Sequence, residues 1–365
     1  MVIANHEAAL DFVNLIGTTK RPMTFVISNS FFSTLPIKGF LAKMGVIPKQ
    51  QFQTTADDLK RIKTVINNGQ PVVIYPAGLM CEDGLSTPIP AATYKFLKWL
   101  DADVYVARSI GTYFVMPKWA KSLRPGRTYI DIYKLFSREE LAASNVAAIK
   151  EKTDEAILFD AYREQESCLS LYKNAENVSG LENVLYQCPH CAAEFSIEVI
   201  DGNTLRCKEC GFAHVSDEYA FLHPASETGT EFRYVSDWSR FIYDDLKRRI
   251  LAGEEADLSA ETRIHMIDHA KHKFVDVGHG TVTLTADAFL LHGQIRGESV
   301  HISIPIGGIP TLPFSPGKHF EIQHGQDIYR CVLAEGKLVM KFINLVKIYF
   351  AIHHTATKTR SAVAP

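Results

Sequence analysis

Two cysteine pairs constrain this chain more than any other feature. Cys188-Pro189-His190-Cys191 is followed, fifteen residues on, by Cys207-Lys208-Glu209-Cys210-Gly211. Two tight turns that each present two thiolates suit one tetrahedral ion, and the interval is that of a zinc ribbon. Four protein thiolates leave no open coordination position for a substrate. The spacing therefore predicts a structural Zn2+ held by Cys188, Cys191, Cys207 and Cys210 within residues 182–225. The remaining cysteines are Cys81, Cys168 and Cys331. An odd total of seven argues against a disulfide framework and for a reducing compartment.

A chain of 365 residues has room for two or three domains. Its composition, 46% hydrophobic and 22% charged, excludes a disordered chain, a collagen-like repeat and a heptad fibre. No apolar run reaches the roughly 18 residues of a membrane-spanning helix. Met1 lies close to the first informative motif, with no basic and apolar leader ahead of it, so no secretory signal is expected. Charge is unevenly spread. Residues 1–150 carry 18 Lys and Arg against 11 Asp and Glu, and the rest of the chain carries 21 against 30. A basic first half can face phosphate, a headgroup or nucleic acid, and from charge alone it reads equally as a solvated surface of mixed charge. Around the cysteine pairs, residues 182–225 hold only Arg206 and Lys208 as cations, so no nucleic-acid partner is expected.

Residues 1–150 alternate strand-like and helix-like segments. Val2 to Ala4, Thr24 to Ser28, Val72 to Ile74, Val104 to Ala107 and Thr128 to Tyr133 read as strands. Thr54-Thr55 before Asp57-Asp58 opens a helix that Gly69 closes, and Pro90 to Leu100 reads as another. Ser137 and Glu140 form a capping box for a helix to Lys150. The alternation predicts an α/β domain with a mostly parallel sheet flanked by helices. Residues 151–181 read as a helical connector and 226–272 as a further helical segment. Over 273–353, short strands at regular spacing precede an apolar helix that lysines 337, 341 and 347 interrupt. This is a β-rich domain similar to the PH and GRAM folds, followed by a tail at 354–365. His265, His269 and His272 sit at helical spacing; surface histidines are the default reading, with a second metal as the alternative.

Asn5-His6-Glu7-Ala8-Ala9-Leu10-Asp11 offers a general base and an orienting carboxylate. On a regular helix, five residues place two side chains about 140° apart. A working pair therefore needs His6 at a strand end or helix cap, and the strand-like Val2 to Ala4 allows it. Lys118-Trp119-Ala120-Lys121-Ser122-Leu123-Arg124-Pro125-Gly126-Arg127 sets cations around a tryptophan. It reads equally as an interfacial loop on an anionic bilayer or as a solvated loop with one core aromatic.

The order of these segments resembles the bacterial glycerolipid acyltransferases, the 1-acyl-glycerol-3-phosphate acyltransferase family. Asn5, His6 and Asp11 match its Asn-His-x4-Asp motif. Leu35-Pro36-Ile37-Lys38-Gly39-Phe40 and Gly45-Val46-Ile47-Pro48-Lys49 match its segment leading to Gly-x-Ile-Pro. Tyr75-Pro76-Ala77-Gly78-Leu79-Met80-Cys81-Glu82-Asp83-Gly84 matches its Phe-Pro-Glu-Gly motif. Gly111-Thr112-Tyr113-Phe114, with Pro117-Lys118-Trp119-Ala120, is similar to a segment of a subgroup that carries a zinc ribbon after the acyltransferase domain. The resemblance covers roughly residues 1–225. Two positions depart from the pattern: Ala77 stands for the motif's glutamate and Met80 for a basic residue that helps charge the acceptor pocket. Cys81 stands where the family has serine and reads as a small packing substitute. Family members usually carry an upstream segment of several tens of residues, and this chain starts almost at the first motif.

The resemblance implies transfer of a fatty acyl group from acyl-CoA or acyl-carrier protein to a lysophospholipid hydroxyl. The acceptor it implies is 1-acyl-sn-glycerol-3-phosphate, with phosphatidic acid as product. His6 is then the base and Asp11 its orienter. Asn5, Lys43, Lys49 and Gly78 are the implied substrate contacts, with Lys38 a further cation in range. The implied setting is cytoplasmic, peripheral on the inner face of the cell membrane. Ala77 and Met80 leave two alternatives: the same chemistry on another acceptor, or a degenerate lipid-binding acyltransferase fold.

Overall fold

The computed structural model describes residues 1–34, 39, 45–50, 54–226, 231–255 and 257–363, with side chains described as far as 355. Two compact units emerge. The first comprises Met1–Lys118, Ser122–Asn174 and Glu218–Ala220. Its strands are β1 (Val2–Ala4), β2 (Thr24–Ser28), β3 (Ile47–Lys49), β4 (Val72–Ile74), β5 (Val104–Ile110) and β6 (Tyr129–Phe136). They hydrogen-bond in the order β3-β2-β4-β1-β5-β6. Every pairing from β3 to β5 is parallel, and β6 closes the edge antiparallel to β5.

Alternation along the strands feeds two cores, because successive side chains point to opposite faces. Ile3, Val72, Val104 and Val106 pack on one face with Tyr94, Leu97 and Leu100 of the helix Ala91–Leu100. Ala4, Val73 and Ala107 point to the other, against Leu15 and Phe25. Burial of both faces is what forces the near-continuous apolar strands of a parallel sheet. Thr55 and Asp58 cap the helix Ala56–Asn67 reciprocally. Ser137 and Glu140 do the same for Arg138–Ala143. The helix expected to run to Lys150 breaks there. Ser144 is extended, and the Asn145 side chain accepts from the Ala148 N–H to start a second helix, Val146–Ile157. Asn favours such a cap over a helix interior. Residues 151–181 are likewise no mere connector: Ala156 and Ile157 belong to the first unit's core, and the helix Ala161–Cys168 follows.

The second unit comprises Trp119–Lys121, Ala175–Asp217 and Phe221–Pro365. It begins with a four-stranded antiparallel sheet of β7 (Ile197–Ile200), β8 (Thr204–Cys207), β9 (Ala213–Ser216) and β10 (Leu222–Pro224), in the order β10-β9-β8-β7. Among the described residues of the segment expected to be helical over 226–272, the helix is Val235–Leu251. Its buried Val235, Trp238, Ile242 and Leu246 recur every three or four residues. Leu258–Asp268 is instead β11, in which Thr262 and Ile264 are buried between exposed Glu261 and Arg263. That two-residue period outweighs the helical spacing of the histidines. His265 lies on β11, and His269 and His272 lie in the turn that follows.

β12 (Lys273–Leu284), β13 (Ala288–Ile295), β14 (Glu298–Pro305), β15 (Phe314–Ser315), β16 (His319–His324) and β17 (Asp327–Leu333) complete a seven-stranded antiparallel sheet. Its order is β14-β13-β12-β11-β17-β16-β15. Gly278 and Gly280 on β12 sit so close to β13 that an added Cβ would meet the Gln294 and His292 carbonyl oxygens at 1.8 and 2.2 Å. The helix Leu338–Val363 runs through the stretch expected to be tail, and Phe342 packs with Phe289 and Phe320 of the sheet. Lys341, only 7% exposed, is paired to Glu194 and Glu255 at 2.7 Å each. The lysine that interrupts the apolar helix thus sits in a buried ionic network, where paired charges are tolerated.

Candidate active site and cysteine cluster

The carboxyl ends of β1, β2, β3, β4 and β5 lie along one edge of the first sheet, because these strands are parallel. Strands β2 to β4 lie to one side of β1 and β5 and β6 to the other. A sheet of this kind opens a crevice beyond the strand ends where the winding changes direction. The residues following β1 occupy that place.

His6 Nδ1 lies 2.9 Å from Asp11 Oδ2. The same oxygen accepts the backbone N–H groups of Glu7 at 2.8 Å and Ala8 at 3.0 Å. Asp11, 1% exposed, opens the helix Asp11–Thr18, while the His6 side chain is 23% exposed. The five-residue spacing works because the chain turns between strand and helix, so the carboxylate reaches back. A carboxylate pinned by two amides holds Nδ1–H and leaves Nε2 as the basic nitrogen. Tyr75, at the end of β4, stacks on the imidazole with ring centroids 4.4 Å apart. Burial, reinforced by Asp11, pushes the Tyr75 hydroxyl well above its ordinary range.

Asn5 is buried, and both ends of its amide are used. Nδ2 donates to the Ser109 carbonyl at 2.8 Å, and Oδ1 accepts the Ser109 N–H at 2.7 Å. These bonds tie β1 to β5. Lys49 ends β3, three strands from β1 and so about 14 Å away laterally. Its ammonium donates to the Gln50 carbonyl at 3.3 Å, and burial lowers its pKa. The structure does not bring Lys49 to the dyad. Lys43 and Lys38 lie outside the described residues. Gly78 takes φ +72° in the turn after β4, its N–H donating to the Tyr75 carbonyl at 2.9 Å. A left-handed residue there favours glycine.

Glu7 escaped the sequence reading. Its carboxylate Oε2 accepts from the Thr112 hydroxyl at 2.8 Å and the Tyr113 N–H at 3.2 Å. Full burial, then the neighbouring Asp11 charge, push its pKa up to about 8. Its Oε1 and Asp11 Oδ1 are both buried without a hydrogen-bond partner. Nothing in the sequence marks Glu7, since it falls at an unspecified place between His6 and Asp11 in the Asn-His-x4-Asp motif. The only sequence signal for Thr112 is its place in the Gly-Thr-Tyr-Phe segment. Cys81 is buried with its thiol pushed well up by burial and by Glu7, which makes it a packing residue. Trp119 is 5% exposed, and an added Cβ on Gly180 would meet its carbonyl at 2.0 Å. It is a core aromatic, so the interfacial reading of this loop is set aside.

The four predicted cysteines converge. Cys188 and Cys210 sulfurs are 3.7 Å apart, as are those of Cys191 and Cys207, and all four lie within 4.8 Å of one another. Metal–sulfur bonds of about 2.3 Å in a tetrahedron give edges of about 3.8 Å, so the set fits one ion. Each pair sits in a tight turn: Ala192 N–H donates to the Cys188 carbonyl and Gly211 N–H to that of Cys207. Ser196 Oγ lies 3.3 Å from Cys207 Sγ, a contact outside the four ligands. Among the described residues no other group of three or more ligating side chains is assembled.

Residues 1–116, which lie within the first unit, match the family model described as Acyltransferase. No curated protein matches the chain. A similar solved structure is the crystal structure of the 1-acyl-sn-glycerophosphate (LPA) acyltransferase, PlsC, from Thermotoga maritima. It is 17% identical with a TM-score of 0.38, over 46% of this chain and 65% of that one. The chain therefore spans just under two thirds of that protein's length. No helix among the described residues is long and apolar enough to cross a membrane.

Proposed function

We propose that the first unit moves a fatty acyl group from a thioester, acyl-CoA or acyl-carrier protein, to a lysophospholipid hydroxyl. The observation that carries this is the pinned His6–Asp11 pair at the carboxyl edge of a domain that matches the acyltransferase model. His6 Nε2 takes the proton of the acceptor hydroxyl as its oxygen attacks the thioester carbonyl. Asp11 fixes the tautomer and stabilises the imidazolium. The tetrahedral intermediate collapses with expulsion of the thiolate, which takes the proton back from His6. The products are an ester and a free thiol. Tyr75 stacks on the ring and limits its rotation.

The preferred acceptor is 1-acyl-sn-glycerol-3-phosphate. Lys43, Lys49 and Gly78 stand as its contacts on the resemblance alone. The place of Lys49 three strands away argues against direct contact with a phosphate beside the reacting hydroxyl. The half-buried Ala77 and Met80 supply no charge at the third motif, which favours a second reading with another acceptor. Cys188, Cys191, Cys207 and Cys210 would hold a structural Zn2+ that staples the four-stranded sheet. The seven-stranded sheet and its long helix are read as a PH- or GRAM-like module, and the protein as cytoplasmic and peripheral at the inner face of the membrane.

The test is acyl transfer from labelled oleoyl-CoA to 1-acyl-glycerol-3-phosphate in mixed micelles, beside His6→Ala. Phosphatidic acid made by the wild type and lost in the variant supports the reading. No product on this acceptor, but product on a neutral or headgroup-bearing lysolipid, selects the second reading. No product on any acceptor from folded protein rejects both.

A further inference from the structure

We propose that His292 and His301 form a second metal site, distinct from the cysteines, for a divalent transition ion that prefers square-planar or octahedral coordination. The two residues are direct cross-strand partners on β13 and β14. Directly opposed residues on one face carry Cβ atoms about 4.5–5.5 Å apart, close enough for their side chains to meet. Their rings converge nitrogen to nitrogen: Nδ1 to Nδ1 is 3.0 Å and the ring centroids are 4.0 Å apart. Both side chains are exposed, so an ion can reach them and water can complete its shell.

The geometry selects among metals. With metal–nitrogen bonds of about 2.1 Å, two nitrogens 3.0 Å apart subtend about 90° at the ion. That is the cis edge of a square or an octahedron. A tetrahedral ion would need the nitrogens opened to about 3.4 Å. Ni2+ and Cu2+ accept imidazole in the former geometries and stand above other divalent ions in affinity. Without metal, the contact is a single N–H···N bond that requires one ring to donate and the other to accept. The neighbouring same-face positions are Thr281 and His279 on β12, Gln294 on β13, and Ser299 and Ser303 on β14, and none of them joins the two histidines in an assembled ligand group. β14 is the edge of the sheet, so the ion sits at a rim rather than inside a core. Nothing in this site depends on the acyl-transfer chemistry, which belongs to the other unit.

Ni2+ is the probe, because it does not oxidise the four thiols as Cu2+ would. Calorimetric titration of the full chain, loaded beforehand with zinc, should show one saturable Ni2+ event. His292→Asn and His301→Asn should each weaken it at least tenfold, while His324→Asn on the distant β16 leaves it unchanged. Unchanged zinc content and melting temperature would show that the variants fold. Absence of the event in the wild type, or its survival in both variants, would overturn the site.

Discussion

Asp11→Asn is the sharpest test of the catalytic arrangement. In the wild type one carboxylate oxygen takes three donors: His6 Nδ1 at 2.9 Å, Glu7 N at 2.8 Å and Ala8 N at 3.0 Å. The amide oxygen of Asn can occupy the same point, so the turn survives. What disappears is the charge. A hydrogen bond to a charged group contributes about 1.5–3 kcal/mol. At about 1.36 kcal/mol per decade, that is about a 10- to 150-fold loss in kcat. If the amide turns its NH2 toward His6, the imidazole is held in the wrong tautomer and the loss approaches 10⁴-fold. KM should stay within about twofold, because Asp11 is buried and touches no substrate. The assay is initial rate against acceptor concentration at saturating acyl-CoA, with circular dichroism to confirm folding. A kcat within about threefold of wild type in folded protein would refute the reasoning, since the charge on Asp11 would then be idle. Asp11→Ala should be worse on both counts: it leaves two buried backbone N–H groups without an acceptor, at about 1–3 kcal/mol each.

Three further outcomes follow from the same geometry. Glu7 has a folded pKa of about 8 against an ordinary 4.5, so the folded state holds its proton more tightly than the unfolded chain. Its contribution is therefore full below pH 4.5 and falls as pH rises toward 8, and Glu7→Gln should raise the melting temperature relative to wild type at pH 8 more than at pH 5. Melting curves at the two values check the sign. If zinc occupies the cysteines, metal analysis should return one zinc per chain, and Cys207→Ser or a strong chelator should abolish it and unfold the four-stranded sheet, read as lost near-UV dichroism. Gly278→Ala should cost about 2–4 kcal/mol in urea unfolding, because its Cβ would lie 1.8 Å from the Gln294 carbonyl oxygen and neither backbone can give way cheaply.

The local elements were legible because their signals are local. Capping pairs such as Thr55–Asp58 and Ser137–Glu140 act over three residues, and the strands at Thr24–Ser28 and Val72–Ile74 fall where their composition puts them. The four cysteines were legible because two tight turns that bring four thiols together leave little freedom in their spacing. Where two periodicities competed, as over Leu258–Asp268, sequence reading took the helical one, and burial of alternate residues decided for the strand.

Other features were decided only by tertiary structure. Asn5 reads as a substrate contact in the sequence, and only the fold shows that Ser109 of β5, more than a hundred residues on, takes both ends of its amide. Glu7 has no signal until burial beneath Thr112 and Tyr113 makes it a retained acid. Trp119 with its cations reads equally well as a membrane anchor, and its packing against Gly180 makes it core. The sequence by itself determined which residue types could do chemistry and which short segments would pair or coil, because those follow from side-chain chemistry and neighbours a few positions away. The tertiary structure decided which of them meet, and at what dielectric, because burial and long-range register are set by the whole chain.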